Sequence, residues 1–338
     1  MRAEELIPKD CVNISSNFDQ WNQLLDDAYF APAWYSECHI LSSMLIFNDR
    51  KLEAQNLSWI LEEDGRPICL LPACLRIDEN GKPIIDSFGF PLGEAITRKE
   101  ITRNQEKKVK SSYFEFINSL KRALDVPSPQ IMLSSQRGRL TSLGEAIQRE
   151  SENKGVIFSI ERDISCNSNT SFGHFRKSYR SLISRGLQKY TVDTSSNPNL
   201  AIETMIRLHE EASGHKTRPD STWKPFINAI EQNRAIVSLV TQGGNTLGAA
   251  LAIKTRTNAI YWSGAYNRQL MQEKEPIGHL AQWGIINHLR EGLTSGTLVY
   301  TLGNHSGSKA ASKKQANIEL FKAGFSSHTT AYPLVSIS

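Results

Sequence analysis

The chain opens with FDQWNQLLDDAYFAPAWYSECHILSSML, an apolar pattern at helical spacing interrupted by aromatic residues, and Pro32 breaks it. In LSWILEEDGRPICLLPACLRIDENGKPIIDSFGFPLG the apolar runs are short and separated by Asp64-Gly65 and Asn80-Gly81. Asp-Gly and Asn-Gly are the strongest short hairpin signals, so this stretch predicts a three-strand meander. SSYFEFINSLKRAL then reads as an amphipathic helix, and VPSPQIMLSS as a short strand after a proline-rich break.

The second half repeats the theme. RAIVSLVTQGGNTLGAALAIKTRTNAIYWSGAYN alternates apolar runs with turns, and sliding Gly65 onto Gly244 lays ICLLPACL over LGAALAIK. PIGHLAQWGIINHLREG follows as a helix with Leu280, Trp283, Ile286 and Leu289 on one stripe and Gly292 as its terminator. TLVYTLG reads as a buried strand, and SKKQANIELFKAGF as a short helix running into a last strand. Meander, helix, strand, helix, strand is an α+β order, with mixed sheets flanked by helices, present twice. The halves are 1–160 and 161–338, with the boundary near RESENKGVIFSIERDISCNSNTSFG, whose polar, turn-rich SCNSNTSFG predicts a linker loop.

Composition narrows the class. A length of 338 residues, 39% hydrophobic and 22% charged, describes a globular protein of about two domains. No run of about 18 apolar residues predicts a membrane-spanning helix. HILSSMLIF reads as a core helix before it reads as a lipid contact. MRAEELIPKDCVNISS has no apolar segment after its early charge, so no secretory signal is expected and the default compartment is the cytoplasm. The five cysteines, Cys11, Cys38, Cys69, Cys74 and Cys166, form no C-x-x-C pair, which argues against a disulfide framework or a thiolate metal site. The formal charge of +4 decides little until its local distribution is known.

Several motifs fail. G-x-G-x-x-G and the P-loop pattern are absent, GGNTLG lies between two strands as a turn, and GNHSGS lacks the nucleophile-elbow spacing. His209 and His215 in LHEEASGH are six apart, where a zinc-protease helix needs four. No metal or permanently bound cofactor is therefore expected.

Four features survive. In FRKSYRSLISRGLQKY, Phe175, Tyr179, Leu182, Ile183, Leu187 and Tyr190 repeat at helical spacing and are expected on the core. Arg176, Lys177 and Arg180 crowd one face without an acid, which fits a solvated basic face and also a phosphate-binding one. Pro276 and Gly278 open a helix after a strand, where free N–H groups bind phosphate; His279 there is a ligand contact or a first-turn surface residue. EASGHKTRPDSTWK holds Gly214, Lys216, Arg218 and Trp223 in a loop between helices, a place for substrate contacts or a plain connection. Lys322, set between Phe321 and Ala323-Gly324 before the last strand, is either a snorkelling surface lysine or one aimed into a cleft.

FRKSYRSLISRGLQKY, AIYWSGAYN, EPIGHLAQWGIINHLREG, VYTLGN and IELFKAGF occur in an order and spacing that resembles FemAB-like acyltransferases, relatives of the peptidoglycan-bridge transferases, over about residues 170–333. The resemblance implies two tandem GNAT-like domains, each a mixed, mostly antiparallel sheet flanked by helices. It implies transfer of an acyl or aminoacyl group, from acyl-CoA or aminoacyl-tRNA as cosubstrate, to an amine or hydroxyl of a sugar or cell-envelope precursor. The acceptor would be a small molecule or sugar nucleotide, tRNA a possible donor partner, and stable membrane insertion no part of the picture. In the family the lysine of the terminal Phe-Lys motif acts electrostatically, a role that maps onto Lys322 beside Phe321. Lys177 and Arg180 map onto phosphate contacts. From the residues themselves, Arg218, Trp223 and Tyr261 are expected to bind substrate, and Gly278 with His279 the donor. GFPLGE loosely resembles a Gly-Pro-x-x-Asp stretch, which places Glu94 as a general base acting from the first domain. The helical arm of several tRNA-dependent members and the usual acetyl-CoA signature are both missing, so the donor stays open. So do two other classes, a catalytically silent sugar-nucleotide or envelope-precursor binder and an RNA-binding module.

Overall fold

The computed structural model describes residues 5–14, 18–78, 80–124, 128–136, 139–165, 172, 175–194, 197–305 and 312–337. The chain forms two compact units: unit 1 is residues 1–157 with 331–338, and unit 2 is residues 158–330. The end of the chain thus belongs to unit 1, where the sequence reading kept 161–338 together. Both units mix helices with mostly antiparallel sheets, the expected α+β class.

Unit 1 begins with β1 (Cys11–Asn13), α1 (Asp19–Asp27) and α2 (Glu37–Asp49). Trp21, Leu24 and Leu25 give α1 its buried stripe, and Trp21 Nε1 donates to Tyr35 O at 2.7 Å across the break at Pro32. HILSSMLIF lies in α2 and buries His39, Ile40 and Phe47, as a core helix does. β2 (Gln55–Asn56), β3 (Trp59–Glu63), β4 (Arg66–Leu71), β5 (Cys74–Ile77) and β6 (Pro83–Asp86) follow. β3 and β4 are a hairpin whose turn residues Asp64 and Gly65 have φ of 53° and 70°, the doubly left-handed pair of a two-residue turn.

The expected three-strand meander needs correction. Pro72 and Ala73 split the second apolar run, and its two parts enter different sheets. With β7 (Ile96–Thr97), one sheet runs β1-β3-β4-β7 and the other β2-β5-β6. Proline has no N–H with which to continue a ladder, so one strand becomes two. α3 (Arg103–Leu124) starts earlier than its apolar face suggests. Thr102 and Gln105 bond each other's backbone N–H at 3.2 and 2.9 Å, a reciprocal cap written in the sequence as T-x-x-Q. Val109, Tyr113, Phe116, Ile117 and Leu120 of α3 then pack with Trp59 and Leu71 in the core. β8 (Ile131–Met132), β9 (Ser135–Gln136), β10 (Arg139–Leu140) and α4 (Ser142–Arg149) complete this part of the chain.

Residues 151–165 of the boundary region form β11 (Ser151–Ser165). Of the expected linker loop, residues 165–173, residues 166–171 and 173 lie outside the described residues. Unit 2 continues with α5 (Lys177–Gly186), β12 (Thr191–Thr194) and α6 (Pro198–Ser213), the last capped by Asn197 and ended by Gly214 at φ 77°. After α7 (Pro225–Glu231) come β13 (Ala235–Gln242), β14 (Asn245–Lys254) and β15 (Asn258–Tyr266), the expected meander. Its first turn is Gly243-Gly244, with φ of 56° and 81°. Gly244 and Gly65, the two glycines superposed in the sequence, thus fill the same place in the same kind of turn.

The rest is α8 (Arg268–Gln272), α9 (Ile277–Glu291), β16 (Thr297–His305), α10 (Lys313–Ala323) and β17 (His328–Ile337). The eight-stranded order is β12-β13-β14-β15-β16-β11-β17-β8. Leu334 and Val335 of β17 pair with Met132 and Ile131 of β8 within unit 1. Ile277, Leu280, Ala281, Ile285 and Leu289 bury α9 in the core with Ile236 and Ala250. Gly284 lets α9 approach β13, since a Cβ there would overlap Ser238. Among the described residues no helix is long and apolar enough to cross a membrane.

Candidate functional site

β15 and β16 are parallel neighbours, paired over Asn258–Ile260 and Val299–Thr301. Both strands become irregular just beyond that pairing. β15 shifts register against β14, with Leu251 opposite Ser263 and Ala252 opposite Tyr261, so Trp262 is the extra residue. β16 shifts against β11, with Ile160 opposite Gly303 and Glu161 opposite Thr301. Bulges at such places re-aim side chains and free backbone groups from the ladder.

Lys322 enters here from α10. Its Nζ occupies the space that a side chain at residue 303 would take: a Cβ on Gly303 would lie 2.5 Å from it. Gly303 has φ 125°, a conformation other residues rarely adopt. The ammonium is 5.7 Å from the centroid of the Tyr261 ring. Burial pushes the Lys322 pKa down, and the Glu319 carboxylate, one turn earlier on α10, opposes that shift. Glu319 is 5% exposed; it accepts from Gln315 Nε2 at 3.0 Å and lies 3.6 Å from His305 Nδ1. Beyond Tyr261 the polar atoms continue inward. Its hydroxyl is 3.1 Å from that of Tyr266, and Tyr300 donates to Gln282 Oε1 at 2.9 Å.

Phe321, Tyr179, His279 and Phe325 form an aromatic cluster beside this lysine, with His279 4.4 Å from Tyr179 and 5.1 Å from Phe321. His279 is half-buried in the first turn of α9. Burial lowers its pKa to about 4, which keeps the ring neutral near pH 7. Gly278 is buried rather than open, with Phe321 and Tyr266 in ordinary contact with any Cβ placed there. The basic helix joins the same region: Arg176 N donates to Gly324 O at 2.9 Å, and Gly324 leaves room for the Tyr179 ring. Arg176, Lys177 and Arg180 are exposed, with Arg180 Nε bonded to Phe175 O. Leu187, expected on the core, is 36% exposed, because the helix ends at Gly186 before its stripe comes round.

Arg218 and Trp223 also come together. The guanidinium lies 3.8 Å from the Trp223 ring and 4.4 Å from that of Trp262, and its Nη2 is 3.4 Å from Ser263 Oγ. This stack covers the bulge next to Tyr261. Lys216 instead pairs with Asp220 at 2.7 Å on the surface, and Gly214 is a helix terminator.

Glu94 belongs to unit 1. It is 2% exposed, with Oε1 accepting from Ser134 N at 2.7 Å and Oε2 from the Thr141 hydroxyl, itself the N-cap of α4. Burial raises its pKa to about 7 against the pull of Thr141, Ser134 and Gly144. Among the described residues no group of three or more His, Cys, Asp or Glu side chains could hold a metal ion.

Sequence reasoning missed Gly303, Glu319 and Trp262. Gly303 carried a signal, since an isolated glycine inside a strand pattern marks a bulge or a close approach. Glu319, three residues before Lys322, was readable as a helical neighbour. Trp262 carried none.

No family model and no curated protein sequence matches the chain. Solved structures do. FemX matches with a TM-score of 0.64 and 11% identity over 96% of each chain. L-PGS from Bacillus licheniformis matches at 0.59 and 10%, over 97% of this chain and 93% of that one. The C-terminal domain of a putative lysylphosphatidylglycerol synthetase from Agrobacterium fabrum matches at 0.54 and 12%, over 88% and 87%. At such identities the likeness is one of fold, and it runs through both units.

Proposed function

We propose that this chain, built on the fold of FemX and of a putative lysylphosphatidylglycerol synthetase domain, is an acyltransferase. The observation that carries the reading is the placing of the half-buried Lys322 ammonium in the room left by Gly303 where β15 and β16 become irregular. Acyl transfer is the reaction its sequence resemblance implies, and the site supplies what that reaction needs.

The acceptor nitrogen or oxygen attacks the carbonyl carbon of a thioester or ester. Negative charge gathers on the carbonyl oxygen, the carbon–sulfur or carbon–oxygen bond breaks, and the leaving group takes a proton as the acceptor loses one. A fixed cation in a desolvated site stabilises that oxygen by about 3–4 kcal/mol. Lys322 fills this role in the proposal, with Glu319 keeping it protonated and Tyr261 and Phe321 flanking it. Backbone groups freed at the two bulges suit the amides of an extended donor chain. Arg176, Lys177 and Arg180 are exposed for phosphates of acyl-CoA, aminoacyl-tRNA or a sugar-nucleotide acceptor. Arg218 and Trp223 shape the wall behind Tyr261. Gly278 and His279 line the aromatic side of the donor path.

The test is direct. The protein is incubated with a pool of acyl-CoAs, aminoacyl-tRNA and sugar nucleotides, and acyl-shifted products are sought by mass spectrometry. Transfer by the wild type and its loss in Lys322→Met with an intact fold is the expected result. Binding without turnover across the panel would favour a silent binding protein. Tight RNA binding that collapses between about 50 and 200 mM salt, with no transfer, would favour an RNA-binding module.

A further inference from the structure

Unit 1 contains a cavity of about 400 Å³ beside Glu94, within the usual range of small-molecule sites of about 300–1,000 Å³. Tyr29, Phe30, Ile96, Ile101, Val109 and Leu143 give it apolar walls. Two charged groupings interrupt them. One is closed on itself: Lys110 Nζ lies 3.1 Å from Glu106 Oε1 and 2.6 Å from Ser142 Oγ, and the Ser142 hydroxyl donates to the same carboxylate. The other is Glu94. It receives Ser134 N–H on one oxygen and the Thr141 hydroxyl on the other, with the Gly144 N–H as a third donor, but no cation pairs with it among the described residues. A carboxylate offers roughly four acceptor positions, so this one retains capacity for a further donor.

We infer that this cavity binds an amphiphilic primary amine, its apolar body against Ile101, Val109 and Leu143 and its ammonium on the Glu94 carboxylate. An anion is disfavoured, because the cavity's lysine is already neutralised by Glu106. A neutral alcohol fits the walls but leaves the buried carboxylate without a counter-charge. The inference does not rest on acyl transfer, since the cavity can hold an amine whatever Lys322 does.

The electrostatic surroundings of Glu94 are simple. Tyr35 and Tyr113 lie near it with their phenol pKa values pushed well up by burial, so both stay neutral. Ser134, Thr141 and Gly144 are uncharged donors, and Glu106 with Lys110 forms a closed pair in the same cavity. Amine binding therefore follows the ionisation of Glu94, whose pKa is about 7.

The probes are octylamine, octan-1-ol and octanoate, titrated calorimetrically into the full-length protein. Octylamine is expected to bind tightest, tightening about tenfold from about pH 6 to about pH 8 as the carboxyl ionises. In Glu94→Gln octylamine should fall to the level of octan-1-ol and lose its pH dependence. Ile101→Trp, at a partly exposed loop position, should weaken every probe by filling the cavity. Should Glu94→Gln fail to fold, the wild-type series and Ile101→Trp decide. Equal or tighter binding of octan-1-ol or octanoate, pH-independent octylamine binding, or no binding by about 1 mM overturns the proposal. None of these readouts involves transfer, so a failure here leaves the reading of Lys322 standing, and the reverse holds.

Discussion

Glu94 in unit 1 is buried and Lys322 in unit 2 half-buried; both are ionisable, yet they are secured by different means. Glu94 is fixed by donors: a backbone N–H, a capping hydroxyl and the start of α4. Lys322 is fixed by space, in the gap that Gly303 leaves and over one face of Tyr261, with Glu319 as its nearest named acid. A group held by several donors is part of the local fold, and its loss leaves those donors unsatisfied. A group held by shape can be removed with much less structural damage. The contrast predicts that substitution at 322 acts on chemistry and substitution at 94 on stability.

The largest expected effect tests the first half of that contrast. Lys322→Met keeps the apolar stem and removes the charge. Transfer should fall by about 10²–10³-fold while the melting temperature stays close to wild type, read by mass-spectrometric turnover and thermal melts. A large loss of stability with unchanged specific activity would invert the assignment.

Glu94→Gln tests the other half and comes next in size. The folded-state pKa of Glu94 is raised from 4.5 to about 7. Between those values the native state holds a proton that the unfolded chain releases. Stability from this group is therefore full below 4.5 and declines as pH rises through about 7. The decline is of the order of 3 kcal/mol, and it should vanish in Glu94→Gln in paired chemical-denaturation series. Equal slopes in the two proteins would show that Glu94 is not buried as described.

Gly303→Ala sharpens the comparison on the Lys322 side. The new methyl group would sit where Nζ now lies, and the backbone would be strained at φ 125°. A stability loss of about 1–3 kcal/mol is expected together with reduced transfer. If activity survives this change intact, the ammonium does not need its present position.

These residues also show what was legible in the sequence. The paired glycine turns at Gly65 and Gly244 and the stripe of α9 were readable, because turn chemistry and helical spacing are local. The division of a strand at Pro72 was missed although proline announces it, since hydrophobic runs on both sides looked continuous. β11 was not assigned as a strand in the sequence, because much of its first half is exposed and polar and its partner β16 lies more than a hundred residues away. The half-burial of His279 and the burial of Gly278 depend on Phe321 and Tyr179 arriving from other elements, which no local pattern encodes. The donors around Glu94 come from residues 134, 141 and 144, so only the fold could reveal that the carboxyl is held this way.

His279 supplies the smallest effect and the finest separation of the two groups. Burial lowers its folded-state pKa from 6.5 to about 4, the opposite sense to Glu94. Between those values the unfolded chain takes up a proton that the native ring refuses, so its stabilising contribution is present above 6.5 and is lost as pH falls through about 4. The slopes of Glu94 and His279 oppose each other across much of the mildly acidic range, and wild-type stability there should look flatter than either group alone would make it. His279→Phe should change stability by less than about 1 kcal/mol near neutral pH, since an aromatic ring still fills the place beside Tyr179 and Phe321. In mild acid it should remove one of the two slopes and expose that of Glu94. A nuclear magnetic resonance titration of the His279 ring checks the premise: a midpoint near 6.5 would mean that water reaches the cluster around Phe321, and with it the lysine beside it.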